Sequence, residues 1–192
     1  MKTNRLVLAA LVSSALLSTN ALAADGTITF TGSITASACT TVVGASSAGS
    51  AAATPATVAL PSVPTTALPT AGGFAGHTAF NIQLSGCQAT AALTNVRALF
   101  TTAAAEPSDV YVMKNTAVGG AANVGVAILT PAGAPIDLNG GSNVDPGVAL
   151  PPVGGTPGPI TMNYQAAYKA LTTGAVGAGT VTANADYTIS YY

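Results

Sequence analysis

Polar and apolar residues alternate with period two along much of the chain. From 27 to 38, Thr27, Thr29, Thr31, Ser33, Thr35 and Ser37 fall on one face, and Ile28, Phe30, Gly32, Ile34, Ala36 and Ala38 on the other. Such alternation predicts a strand with an apolar face and a hydroxyl face. Residues 79–86 alternate again, with Phe80, Ile82 and Leu84 inward. Further strands are predicted at 95–101, 110–113, 123–130 and 161–170, the last with Met162, Tyr164, Ala166 and Tyr168 on one face. A final strand is predicted over 179–192, with Val181, Ala183, Ala185, Tyr187, Ile189 and Tyr191 in register. Residues 44–76 are a low-complexity run of Ala, Ser, Thr, Gly and Pro whose best short strand is Val58-Ala59-Leu60. The section 131–159 reads as Gly- and Pro-rich loops around Ile136-Asp137-Leu138. Residues 91–105 hold enough Ala to mimic a helix but lack a sustained helical period and caps. Short strands separated by turn signals predict one all-β antiparallel sandwich.

The first residues form an export signal. Lys2 and Arg5 precede an apolar run from Leu6 to Leu17, and Ala21-Leu22-Ala23 supplies a small-x-small cleavage site. About a dozen apolar residues are too few to span roughly 30 Å of hydrocarbon. Cleavage between Ala23 and Ala24 leaves 169 residues. Export gives the two cysteines a context. Cys39 and Cys87 lie 48 residues apart, show no CxxC spacing, and have only His77 as a possible basic partner for a reactive thiol. A disulfide is the expected state, worth about 4 kcal/mol on the chain-entropy model.

Charge narrows the function classes. Only 6% of residues are charged, and the 71 residues between Asp25 and Arg97 carry no Asp, Glu, Lys or Arg. Five Lys/Arg in the whole chain cannot supply a nucleic-acid footprint. Glu106 and Asp109 form the closest acid pair, in what reads as a solvated polar turn, and nothing suggests a second carboxyl across a cleft. His77 has no nucleophile elbow beside it, and Gly119-Gly120 and Gly140-Gly141 open no helix that could cradle phosphate. No catalytic, cofactor-binding or metal site is predicted.

Two strands stand apart from the rest. The alternating segment before Cys39 lies outside the disulfide-bounded region, and an apolar strand there must pair within its own sheet or bind elsewhere. The last strand carries Tyr187, Ile189, Tyr191 and Tyr192, whereas chain ends usually fray. An ordinary pair of edge strands would also account for both.

Together these segments resemble the pilins of the chaperone–usher pathway, in particular the type 1 fimbrial shaft group. The matching stretches are Ala24-Asp25-Gly26-Thr27-Ile28-Thr29-Phe30-Thr31-Gly32-Ser33-Ile34, Cys39, Phe80-Asn81-Ile82-Gln83-Leu84-Ser85-Gly86-Cys87, and 179–192 with a penultimate Tyr191 and Gly179 fourteenth from the end. The resemblance implies an immunoglobulin-like sandwich missing its last strand and completed by a donor strand from a neighbouring subunit. It divides the chain into a signal peptide (1–23), a donor extension (24–38) and a pilin domain (39–192). Ile28, Phe30, Gly32 and Ile34 would be the donor residues, Gly32 facing a shallow pocket. Gly179, Tyr187, Ile189 and Tyr191 would lie on the acceptor strand that meets first a periplasmic chaperone and then the next subunit at the outer-membrane usher. The implied function is structural: a subunit exported through the periplasm into a cell-surface fimbria, with identical or related pilins, chaperone and usher as partners. The alternative is a minor or adaptor pilin, or a freestanding secreted binding module.

Overall fold

The structure is a computed structural model and describes residues 38–47, 52–141, 144–171 and 174–192. The cleavage pair Ala23 and Ala24, and the donor residues Ile28, Phe30, Gly32 and Ile34, lie outside the described residues. Nine strands follow in chain order: β1 (Thr41–Ser47), β2 (Phe74–Cys87), β3 (Asn95–Thr101), β4 (Ala105–Glu106), β5 (Asp109–Lys114), β6 (Val124–Leu129), β7 (Val148–Ala149), β8 (Gly158–Ala170) and β9 (Asp186–Tyr191). They form a six-stranded sheet in the order β1-β2-β8-β6-β5-β4 and a three-stranded sheet in the order β7-β3-β9. All their pairings are antiparallel. A single 3-10 turn, Thr65–Ala67, is the one helical element among the described residues.

One core lies between the sheets, and period-two alternation fills it. Phe80, Ile82 and Leu84 of β2 and Ile160, Met162 and Tyr164 of β8 point inward from the large sheet. Val96, Ala98 and Phe100 of β3 answer from the small one. Ile82, Leu84, Val96 and Met162 are at most 1% exposed, and each side chain of that class contributes about 1.5–3 kcal/mol by leaving water. The sheets also meet through aromatic rings. Phe100 stands edge-on to Tyr164, with ring centres 5.0 Å apart, and Phe80 lies 5.6 Å from Tyr164 and 6.3 Å from Phe100.

The all-β sandwich agrees with expectation, and β3 occupies the predicted residues, but several boundaries shift. A strand, β1, occupies Thr41–Ser47, partly inside the run read as featureless, and its register slips between Val42 and Gly44. β2 starts five residues earlier than the alternation suggests, because a bulge between Ala75 and Thr78 interrupts the pattern. Val58-Ala59-Leu60 forms no strand and joins no ladder among the described residues. The short piece Ile136-Asp137-Leu138 forms no named strand, yet Ile136 and Leu138 are both buried, their amides donating to Ile128 and Val110 carbonyls. Cys39 and Cys87 form a disulfide that ties the residues before β1 to the end of β2. Two backbone bonds flank it, Thr40 N–H to Ser85 O and Gln88 N–H to Ala38 O.

Candidate functional site

The apolar residues of β9 are less covered than those of its partner β3. Tyr187, Ile189 and Tyr191 face the same core as Val96 and Phe100 but are only half-buried. β9 is one of the two outer strands of the small sheet, the other being the two-residue β7, and among the described residues it pairs with β3 alone. Its register sets Tyr191 against Val96, Ile189 against Ala98 and Tyr187 against Phe100. A strand with one apolar face incompletely covered, at a sheet edge, can accept a further strand.

A second apolar surface lies along the Pro-rich run. Val58 and Leu60 rest half-buried on the main core, and Val63 packs with Leu68, Ala75, Val124 and Ala170 in a smaller cluster. Between this run and residues 176–182 opens a cleft of about 650 Å³. Ser62, Val63, Thr65 and Leu68 line one side, Gly179, Thr180 and Val181 the other, with Val124 and Tyr168 also exposed to it. The lining carries no Asp, Glu, Lys, Arg or His, so it offers shape and apolar surface with no charge to be desolvated. The sequence alone does not mark Val63 and Leu68 as lining a cleft. Their signal is a sparse apolar alternation, diluted by Ala, Thr and Pro.

Gly179 is placed seven residues before β9 begins, so the strand expected over 179–192 is divided. Residues 180–182 pair instead with 115–121: Ala121 N–H donates to Thr180 O and Thr116 N–H to Thr182 O, both at 2.9 Å. The Asn115 side chain fixes this arrangement, donating to the Ala121 and Thr180 carbonyls and accepting from the Ala117 and Thr182 amides. The two segments approach so closely that a Cβ at Gly179 would lie 2.5 Å from Ala121 N, and one at Gly120 would lie 2.5 Å from Thr180 O. Gly179, Tyr187, Ile189 and Tyr191 therefore follow one continuous stretch of chain, but only the last three are on the edge strand.

The polar groups considered for chemistry are engaged structurally. Asp109, expected in a solvated turn, is instead part-buried and paired with Lys169, whose ammonium lies 5.5 Å from the Phe74 ring and 5.8 Å from the Tyr111 ring. Glu106 accepts from the Ser108 hydroxyl, and His77 meets Gln165 at the surface. Among the described residues no three His, Cys, Asp or Glu gather as metal ligands. Tyr164 is the group most altered by its surroundings. Its hydroxyl donates to Asp145 Oδ2 at 2.8 Å and accepts from Ala98 N–H at 3.2 Å. Burial pushes this phenol well above the usual tyrosine range; the Ala98 amide opposes the shift and the Asp145 carboxylate reinforces it.

The model of the family described as "Fimbrial protein" matches residues 28–192. A type-1 fimbrial protein subunit of Serratia marcescens is 35% identical over 192 residues, covering 100% of this chain and 99% of the relative. The type-1 fimbrial protein A chain of Escherichia coli strain K12 is 33% identical over 197 residues, covering both chains fully. Among solved structures, a chaperone–usher pilus chain superposes with a TM-score of 0.56 at 18% identity, covering 88% of this chain and 96% of that one. The P pilus rod subunit PapA superposes at 0.54 and 20% identity, covering 71% and 92%. The structural likeness bears on the fold and the sequence likeness on descent, and from the two together the chain belongs to the fimbrial protein family, whose members are structural subunits and not enzymes.

Proposed function

We propose that this fimbrial subunit polymerises at the cell surface by donor-strand exchange, after a periplasmic chaperone has delivered it to an outer-membrane usher. Residues 1–23 are the export signal, cut between Ala23 and Ala24, and residues 24–38 are the donor segment. Ile28, Phe30, Gly32 and Ile34 of one subunit add as a strand beside β9 of the next, where Tyr187, Ile189 and Tyr191 receive them and main-chain hydrogen bonds supply affinity. The observation that carries this reading is the incompletely covered apolar face of edge strand β9. The alternation of residues 27–38, with apolar side chains on one face, supplies a segment of matching character from the same chain. Before subunits meet, a chaperone strand at the same edge keeps it from pairing at random.

The test is expression of the chain in a periplasm with and without its cognate chaperone. Chaperone complexes and, with the usher, surface filaments are expected; a stable lone monomer that forms neither would reject the proposal. Gly32→Leu is expected to block subunit–subunit exchange while leaving chaperone binding intact, because it alters only the donor. Filaments of normal length from that variant would reject the assignment of Gly32.

A further inference from the structure

Alternation alone does not settle how β9 aligns with β3. A slip of one residue would turn Tyr187, Ile189 and Tyr191 outward and is excluded by their burial. A slip of two would keep these side chains inward, putting Ile189 in place of a tyrosine opposite Val96 or Phe100. Some contact outside the alternating face has to forbid it.

Tyr192 makes that contact. Its backbone carbonyl accepts from Thr94 N–H and Asn95 N–H, both at 2.9 Å, and its own N–H donates to Asn95 O at 3.1 Å. The Arg97 guanidinium stacks 4.2 Å from the ring centre. The hydroxyl donates to Pro146 O at 2.6 Å, over Gly147, where a Cβ would approach that hydroxyl within 2.4 Å. Gly147 is itself held by its amide on Asp145 Oδ1, the carboxylate whose other oxygen receives the buried Tyr164 hydroxyl. A two-residue slip that brought Ser190 to this place would leave Arg97 without a ring and Pro146 O without its phenol donor.

We propose that Tyr192 is a positioning residue for the acceptor edge: it locks β9 in a single register, so that an incoming strand meets Tyr187, Ile189 and Tyr191 in one alignment. This rests on the donor-strand reading above. The experiment uses the chain from residue 24 to 192, refolded in excess of a labelled synthetic peptide of residues 24–38. A Thr188→Cys substitution on the outer face of β9 reports alignment by disulfide trapping with peptides carrying one cysteine at position 29, 31 or 33. The unaltered Tyr192 chain is expected to trap one peptide position. Tyr192→Ala is expected to trap two, with binding weakened about tenfold, whereas Tyr192→Phe, which keeps the ring, stays within about threefold. A single, unchanged trapping position in Tyr192→Ala overturns the inference. Should that variant lose its sheet signal on refolding, Arg97→Gln removes only the stacked cation, and a single trapping position there overturns it equally. Failure of the peptide to bind the chain with Tyr192 intact is a different result and rejects the donor-strand reading itself.

Discussion

The Tyr164 hydroxyl joins three parts of the fold: β8, which carries it, β3 through the Ala98 amide, and the loop at Asp145. Removing it takes from Asp145, which is 8% exposed, one of its donors and leaves the Gly147 amide, so Tyr164→Phe is expected to cost about 1–3 kcal/mol at neutral pH in urea unfolding. The raised pKa makes a second prediction with a definite sign. Unfolded, the phenol titrates near 10.0; folded, it holds its proton to higher pH. Its contribution to stability is therefore complete below about pH 10 and lost as pH rises beyond, so unfolding free energy should fall on the alkaline side and fall less in Tyr164→Phe. Gly179 offers a steric test. With a Cβ due 2.5 Å from Ala121 N, Gly179→Ala must part the two segments, at a cost of about 1–3 kcal/mol measurable as a lowered melting temperature.

Among the elements, β9 behaves unlike its neighbours because its inner face is half-buried. Ile189→Ala should destabilise the free chain less than Ile82→Ala, for which full burial implies about 2–5 kcal/mol. On the donor-strand reading the order should reverse for stabilisation by the 24–38 peptide, read as the rise in melting temperature on adding it, since Ile189 has surface left to cover and Ile82 has none. How far each element was legible in the sequence follows from its local pattern. Val96, Ala98 and Phe100 alternate without interruption, and β3 was found to the residue. β1 was hidden because Gly44-Ala45-Ser46 resembles the low-complexity run that follows, and its bulge breaks the period. Two-residue strands such as β7 are set by tertiary pairing, Asn95 with Ala149, and leave no period to read. At the site, Tyr187, Ile189 and Tyr191 were legible through alternation. The packing of Val58, Leu60 and Val63 is not, since these side chains take hold of the core without ladder bonds. The break between Gly179 and β9 depends on the Asn115 amide, more than sixty residues away in sequence.

For the whole molecule, the disulfide closes a separation of 48 residues, so reduction is expected to lower stability by about 4 kcal/mol on the chain-entropy model. Calorimetry with and without reductant, compared with a Cys39→Ser/Cys87→Ser chain, measures it. Arg97, Lys114 and Lys169 are the only Lys/Arg beyond residue 5, and all three lie in strands. Cleavage there requires opening of a sheet, so trypsin should leave the native chain intact beyond residue 5 and cut it readily once it is reduced and unfolded. The order of strands has a further consequence, in time. Phe74 pairs with Lys169 and Val96 with Tyr191, partners 95 residues apart in each case. Until β8 exists, the large sheet is two unconnected fragments, β1–β2 and β4–β5–β6, and β3 lacks its long partner until β9 emerges. Closure over such distances is slow, in the millisecond-to-second range for small β domains. A polypeptide wired this way can form its local ladders early, but neither sheet is complete until β8 and β9 have been made.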